Sequence, residues 1–333
     1  MALSEIAAQP EQDHAFLDAL AEYGEKEMER HVAERKDWAY HDILTREAMA
    51  ERVVAPPVDA SPEIQAIFLG NLAVEKGHAE YDRVLAGRLQ VHPVFKRWKD
   101  MWVAEEEPHG AAMQEWAKVA GLFGAGPEGV AGMHKVHDTI AGYLKAGLTL
   151  SFDDAAMAFA YPAFQEPATR VTHREVKNRL PESEKEGRRL LSRIIADEER
   201  HERFYCNMVR HALHSGDVTI ASHQMCGIAR STLGFAMPGI ETDIPGGDEI
   251  TKAYRRTGAF TAGKVATEVL RPLIKDDGAH GWRIADVETL DDRGRAAQEA
   301  VLQLDADLAA VEGNDRRTLV VLGRARAALA AAA

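Results

Sequence analysis

Residues 102–110 read WVAEEEPHG and residues 196–202 read ADEERHE. Each stretch holds a Glu-x-x-His pair, Glu106/His109 and Glu198/His201, and the two pairs lie about ninety residues apart in long helical segments. Residues three apart share one helix face, so both side chains of a pair can reach the same metal. Two further helical segments each carry a candidate lone glutamate, Glu75 and Glu166. One Glu from each of two helices and one Glu-x-x-His from each of the other two make up the ligand set of a carboxylate-bridged di-iron or di-manganese four-helix bundle. Two bridging carboxylates with one imidazole per metal suit iron or manganese better than zinc. A lone pair of this kind in a charged helix is usually a solvated face. Here Ala, Trp and Phe interleave the acids and histidines, which favours partial burial. A third pair, Glu75/His78, leaves open whether His78 coordinates or is a polar neighbour.

Working outward, residues 11–36 read as an amphipathic entry helix ending near Asp37-Trp38, and 46–60, with Pro56-Pro57, reads as a connection. Pro62 suits a first helical position. The stripe Ile64, Ile67, Phe68, Leu72 and Ala79 continues that helix to about Gly87. A second long helix runs from about Pro93 to Leu122 and is closed by GLFGAGPEG at 121–129. A shorter helix over 130–147 precedes the segments 150–178, with Glu166, and 183–214. Further helices are expected near 217–235, 248–256, 261–275 and 294–312, and the Ala-rich end from Ala325 reads as frayed or weakly helical. Strand signals are thin. The expected architecture is all-α: one domain over 1–333, a four-helix core at about 62–215, and additional N- and C-terminal helices at about 11–36 and 217–312.

Composition sets outer bounds. A formal charge of −13 argues against general nucleic-acid binding, which depends on neutralising phosphates. Cys206 and Cys226 supply neither a disulfide framework nor a cysteine-rich metal site. The N-terminal stretch has early acids and no apolar core of a signal peptide, and no uncharged run is long enough to span a bilayer. A cytoplasmic protein is expected.

At the ligand motifs the chain resembles the soluble acyl-acyl carrier protein desaturases. FLGNLAVEKGHAEY (68–81) resembles that family's first ligand helix and places the lone glutamate at Glu75 rather than Glu80. WVAEEEPHG resembles W-x-A-E-E-x-x-H-G, FQEPAT (164–169) resembles F-Q-E-x-A-T, and ADEERHE resembles A-D-E-x-R-H-E. The similarity continues through Met237-Pro238 and KAYRRTGAFTA (252–262), covering roughly 38–312. The resemblance implies a ferritin-like fold, two iron ions per chain ahead of manganese, and Glu75, Glu106, His109, Glu166, Glu198 and His201 as ligands. It implies an oxygen-dependent desaturase that introduces a cis double bond into a saturated acyl chain on acyl carrier protein, in fatty acid biosynthesis. Electrons would come from a ferredoxin-type donor, and the assembly would be a homodimer. Trp38 would stand on the electron route, with Asp197 and His109 between it and iron, and Thr169 would assist proton delivery. Asp197 also has a logic of its own, since a carboxylate bonded to a ligating imidazole fixes its tautomer. Docking an acidic carrier onto a chain of charge −13 requires a local basic patch, for which Arg170–Arg179 and Lys252–Arg256 are the candidates.

The departures are prolines. Pro108 sits between Glu106 and His109, Pro167 follows Glu166, and Pro162 lies five residues earlier. A helix-interior proline frees the carbonyl four residues back and costs about 3 kcal/mol. The freed groups would be those of Ala104 and Ala163. The prolines read either as irregularities that reshape the substrate channel or the metal site, or as marks of divergence. Divergence would give a di-iron oxygenase that hydroxylates, or a non-catalytic acyl-carrier binding homologue. Acyl chain length, double-bond position, and acyl carrier protein versus coenzyme A as carrier are not encoded in these motifs.

Overall fold

From Ala155 to Thr169 every residue is buried, apolar apart from a few polar groups such as Gln165, Glu166 and Thr169, which makes the helix Ala155–Arg179 the central rod of the described residues. In a computed structural model the described residues are 12–124, 131–132, 138, 152–234, 247–275 and 280–332. Among them there is no strand, and the chain is all-α as expected. In chain order the helices are α1 (Asp13–Glu34), α2 (Arg46–Val54), α3 (Pro62–Lys76), α4 (His78–Leu89), α5 (Pro93–Val119), α6 (Ala155–Arg179), α7 (Lys185–Leu213), α8 (Val218–Gly234) and α9 (Gly247–Thr257). They continue as α10, built of Ala262–Lys264, the wider π-turn Val265–Leu270 and Arg271–Ile274, then α11 (Asp292–Ala310) and α12 (Asp315–Ala332). The expected helix over 130–147 and the Met237-Pro238 stretch lie outside the described residues.

The helix starts follow from local chemistry. Ser61 accepts from the Ile64 N–H at 3.3 Å ahead of Pro62, and Asp154 accepts from the Met157 N–H at 3.0 Å at the start of α6. Asp13, from α1, accepts from the Ala155 N–H at 2.8 Å and so caps the same end of α6. The core bundle is α3, α5, α6 and α7, with α6 and α7 packed along much of their length. Helix α1 lies across α5 and α7, α9 packs on α3, and α8 bridges α6 to α11.

Two expectations are corrected. The stretch 46–60 is not all connection: Thr45 accepts from the Ala48 N–H at 3.2 Å and starts α2, which ends before Pro56-Pro57. The helix from Pro62 does not run unbroken to Gly87. It stops at Lys76, with Gly77 at its end and His78 Nδ1 at 3.0 Å from the Glu75 carbonyl oxygen, and α4 starts afresh. Glycine is a poor helix former, and a side chain that takes the carbonyl competes with the helical bond.

Candidate metal centre

Helices α3, α5, α6 and α7 bring all six predicted ligands to the middle of the bundle. Glu75, Glu106, His109 and Glu198 form one group whose ligand atoms lie within 4.8 Å of one another, and Glu106, Glu166, Glu198 and His201 form a second. Glu106 and Glu198 belong to both groups. All six are buried. Gly110 permits this approach, because a Cβ there would meet the backbone carbon and Cβ of Glu75 at 3.2 and 3.3 Å.

The arrangement fits cations. Among the described residues, Glu75 Oε2, Glu106 Oε1, Glu198 Oε1, His109 Nδ1 and His201 Nδ1 are buried and crowd one another without a well-formed hydrogen bond. Unpaired groups of this kind are costly, and here they converge. His109 Nδ1 is 3.2 Å from Glu106 and 3.4 Å from Glu75, and His201 Nδ1 is 2.8 Å from Glu106 and 3.7 Å from Glu166. Without metal, protons substitute for it. Burial opposes charge on His109 and His201, yet the facing carboxylates outweigh burial and raise both imidazoles well above their ordinary range. Burial also opposes charge on Glu75, which His173 and His109 nevertheless hold well below the usual carboxylate range. Glu166 moves the other way, with burial first and the charges of Glu198 and Glu106 adding to it.

The other atom of most ligand carboxylates is held by a protein donor. His173 Nε2–H donates to Glu75 Oε1 at 2.7 Å while its Nδ1 accepts from Asn71 Nδ2 at 3.2 Å. The Tyr254 hydroxyl closes that chain on Asn71 Oδ1. Trp102 Nε1–H donates to Glu166 Oε1 at 3.2 Å, and the Thr169 hydroxyl to Glu198 Oε2 at 2.6 Å. Thr169 Oγ1 also lies 3.2 Å from the Gln165 carbonyl oxygen and 2.9 Å from that of Glu166.

The outer nitrogens of the histidines are strapped reciprocally. Asp197 of α7 accepts from His109 of α5 at 3.1 Å, and Glu105 of α5 accepts from His201 of α7 at 3.1 Å. Trp38 Nε1–H donates to Asp197 at 2.7 Å, and its ring lies 6.1 Å from that of His109 at an interplanar angle of 13°. Trp38, Asp197 and His109 are thus in line. Glu105 points away from the ligand face by helical geometry, and that direction leads to the back of His201. Its signal is in the sequence, since an acid precedes the ligand glutamate in both motifs. His173 stands seven residues after Glu166, two turns along one face. His78 is in neither ligand group.

A water-sized void of about 10 Å³ touches the centre, lined by Val74, His78, Trp102, Gln165 and Thr169 with the ligand glutamates. A larger cavity of about 140 Å³ lies on the other side, walled by Trp38, Ala104, Glu105, Pro108, Asp197 and Arg200 among others. None of the three prolines breaks its helix: α5 and α6 run through Pro108, Pro162 and Pro167. Ala104, whose carbonyl Pro108 frees, is exposed and lines that larger cavity. The carbonyl freed by Pro167, that of Ala163, takes the Cys206 thiol at 4.0 Å. Of the basic stretches, Arg170, Arg174 and Arg179 are paired with Glu202, Glu268 and Glu175, and Lys252, Arg255 and Arg256 lie on the exposed face of α9.

A helical bundle around a buried centre of four glutamates and two histidines that could hold metal defines a carboxylate–histidine protein of the ferritin-like class. The sequence profile of the fatty acid desaturase family matches residues 12–325, and the chain belongs to that family. DesA1 of Mycobacterium tuberculosis H37Rv, a candidate acyl-acyl carrier protein desaturase, is 23% identical over 320 residues, which span 89% of this chain and 86% of that one. A chloroplastic palmitoyl-acyl carrier protein 4-desaturase of the orchid Ophrys arachnitiformis is 26% identical over 280 residues, 79% of this chain and 69% of the relative. The X-ray structure of DesA2 from M. tuberculosis H37Rv superposes with a TM-score of 0.52 at 20% identity, over 76% of this chain and 90% of that chain, and shares the fold. Among the described residues no helix is long and apolar enough to cross a membrane.

Proposed function

We propose that the protein is an oxygen-dependent acyl-acyl carrier protein desaturase that introduces a cis double bond into a saturated acyl chain. The observation that carries the reading is the convergence, from three helices, of five buried ligand atoms that lack a well-formed hydrogen bond among the described residues, with two glutamates shared between two groups. Family membership and the named activity of the relatives support the substrate class.

Glu75 and His109 would hold one iron, Glu166 and His201 the other, and Glu106 and Glu198 would bridge them. When bound, the metal pair supplies the oxidising power from O₂ that no side chain has. The protein's own residues do the rest. Asp197 and Glu105 hold the outer nitrogens of His109 and His201, so that each Nδ1 presents its lone pair inward. His173, Trp102 and Thr169 each take one oxygen of a ligand carboxylate and leave the other for metal. Thr169, beside Glu198 and the small void, would pass a proton inward. Half-buried Trp38, tied to His109 through Asp197, would carry electrons from a ferredoxin-type donor. Among the described residues the void at the centre has room for about one water, which limits solvent at the metal positions. Exposed Lys252, Arg255 and Arg256 on α9 would meet the acidic carrier, and the working unit would be a homodimer.

The test is turnover of iron-loaded protein with acyl-acyl carrier protein, O₂ and a reduced ferredoxin, with products resolved by mass spectrometry. An acyl product lighter by two hydrogens supports the proposal. A hydroxylated product, or tight acyl-carrier binding without turnover, overturns it in favour of an oxygenase or a binding protein.

A further inference from the structure

We infer that His31, on α1 outside the four-helix core, is a positioning residue for the metal ion held by His201, and that it acts through Glu105. The inference rests on the two-metal reading above.

A carboxylate can orient a ligating imidazole only if the carboxylate is itself held. On the His109 side, Asp197 is held by an aromatic N–H, from Trp38, and by an arginine, Arg200. On the His201 side the arrangement repeats with different residues. His31 Nε2 lies 3.0 Å from both oxygens of Glu105, and Arg35 donates to Glu105 Oε1 at 3.2 Å. Each outer carboxylate therefore has one ligating histidine, one ring N–H donor and one arginine. Both ring donors come from α1 and the segment that follows it. The N-terminal element thus locks both straps, although none of the six predicted ligands lies on it.

Of the two locks on Glu105, His31 is the firmer. Arg35 is about one-third exposed and is shared with Asp37 at 2.6 Å. The His31 side chain is 2% exposed. Its ring lies near-parallel to that of His201, at 5.7 Å and 13°, and Trp98 packs edge-on against it at 5.0 Å. Among the described residues its Nδ1 has no hydrogen-bond partner, and Glu105 is the polar tie of this buried imidazole. Packing alone would be served better by an apolar ring, since an unpaired buried nitrogen carries a cost. The tie to Glu105 accounts for a histidine at this position.

The experiment loads wild-type protein, His31→Ala, His31→Gln and Asp197→Asn with ferrous iron under anaerobic conditions. It reads iron per chain, binding curves, Mössbauer spectra and helical content. Wild type is expected to take two irons in distinguishable environments. His31→Ala should keep its helical content and one normal iron, and bind the other 10–100-fold more weakly. The affected iron should be the one that Asp197→Asn leaves alone. His31→Gln, whose amide can donate to Glu105, should recover most of the loss. Unchanged affinity and spectra in His31→Ala overturn the inference while leaving the metal centre standing. Equal damage to both irons, or a Gln variant no better than Ala, also overturns it, because then the residue only packs. A third metal lost with His31 would make it a ligand instead. Wild type with fewer than two irons removes the metal reading, and this inference with it.

Discussion

Asp197 gathers three donors, from Trp38, His109 and Arg200, and burial, which opposes its charge, is outweighed so that its carboxyl stays below the usual range. Asp197→Asn is expected to leave the helices intact and weaken one metal ion 10–100-fold, read by titration with ferrous iron. Trp38→Phe should keep both metals and slow only reduction by a protein donor, measured by stopped flow against a small-molecule reductant that needs no such route. The protons held by His109 and His201 give a pH dependence of definite sign. Their values in the folded, metal-free protein are raised above the ordinary 6.5. The stability they lend the metal-free fold is therefore complete below about pH 6.5 and is lost as pH rises through the folded values. Metal binds the neutral rings, so its apparent affinity should rise with pH and its binding should release protons. Calorimetry in buffers of different ionisation enthalpy would detect that release, and its absence at pH 6–7 would contradict the protonation described here. At this scale the convergence of Glu106/His109 and Glu198/His201 was legible because i, i+3 spacing is a local property, whereas Glu75 and Glu166 were legible only through the motifs around them. Glu105 was legible in principle, from its place beside Glu106. His31 was not, since nothing in the sequence of α1 states which residue it crosses.

Helices α5 and α6 absorb interior prolines by different means. The Ala104 carbonyl freed by Pro108 belongs to an exposed residue on a solvent-sized cavity, where water can satisfy it. The Ala163 carbonyl freed by Pro167 is buried, and its partner is a weak thiol donor. Restoring the N–H should therefore matter more in α6. Pro167→Ala is expected to raise the stability of the metal-free protein by up to about 3 kcal/mol, and Pro108→Ala by clearly less, read from denaturant midpoints. The reverse order would show that the cavity does not hydrate Ala104. Helix existence was legible from apolar periodicity and from the caps at Ser61 and Asp154. The break at Gly77 was not, because the stripe resumes in α4 and masks a stop made by one glycine and one histidine side chain. Nor was α2, whose start at Thr45 is a short-range signal overshadowed by the prolines that end it.

At the scale of the molecule, the centre couples stability to metal. A ligand that binds only the folded state adds about 2.7 kcal/mol per site at a hundredfold excess over its dissociation constant. Scanning calorimetry should show the melting temperature rising by several degrees on iron loading and falling back with a chelator. The packing of α8 on both α6 and α11 ties the C-terminal helices to the bundle. We therefore propose a single domain, and a single cooperative transition is expected; two separated transitions would divide the chain. The all-α architecture was legible because it is the sum of local periodicities. The order in which the outer helices cover the core was not, because it depends on matching surfaces far apart in sequence.

The reciprocal straps have a consequence in time. Because α5 steadies the histidine of α7 and α7 steadies that of α5, neither half-site can be assembled by its own helix, and the growing chain has no competent fragment with which to capture metal. Iron should therefore arrive last. Ferrous iron present during refolding is expected to leave the folding rate unchanged and to slow only unfolding, as follows when a contact is absent from the transition state.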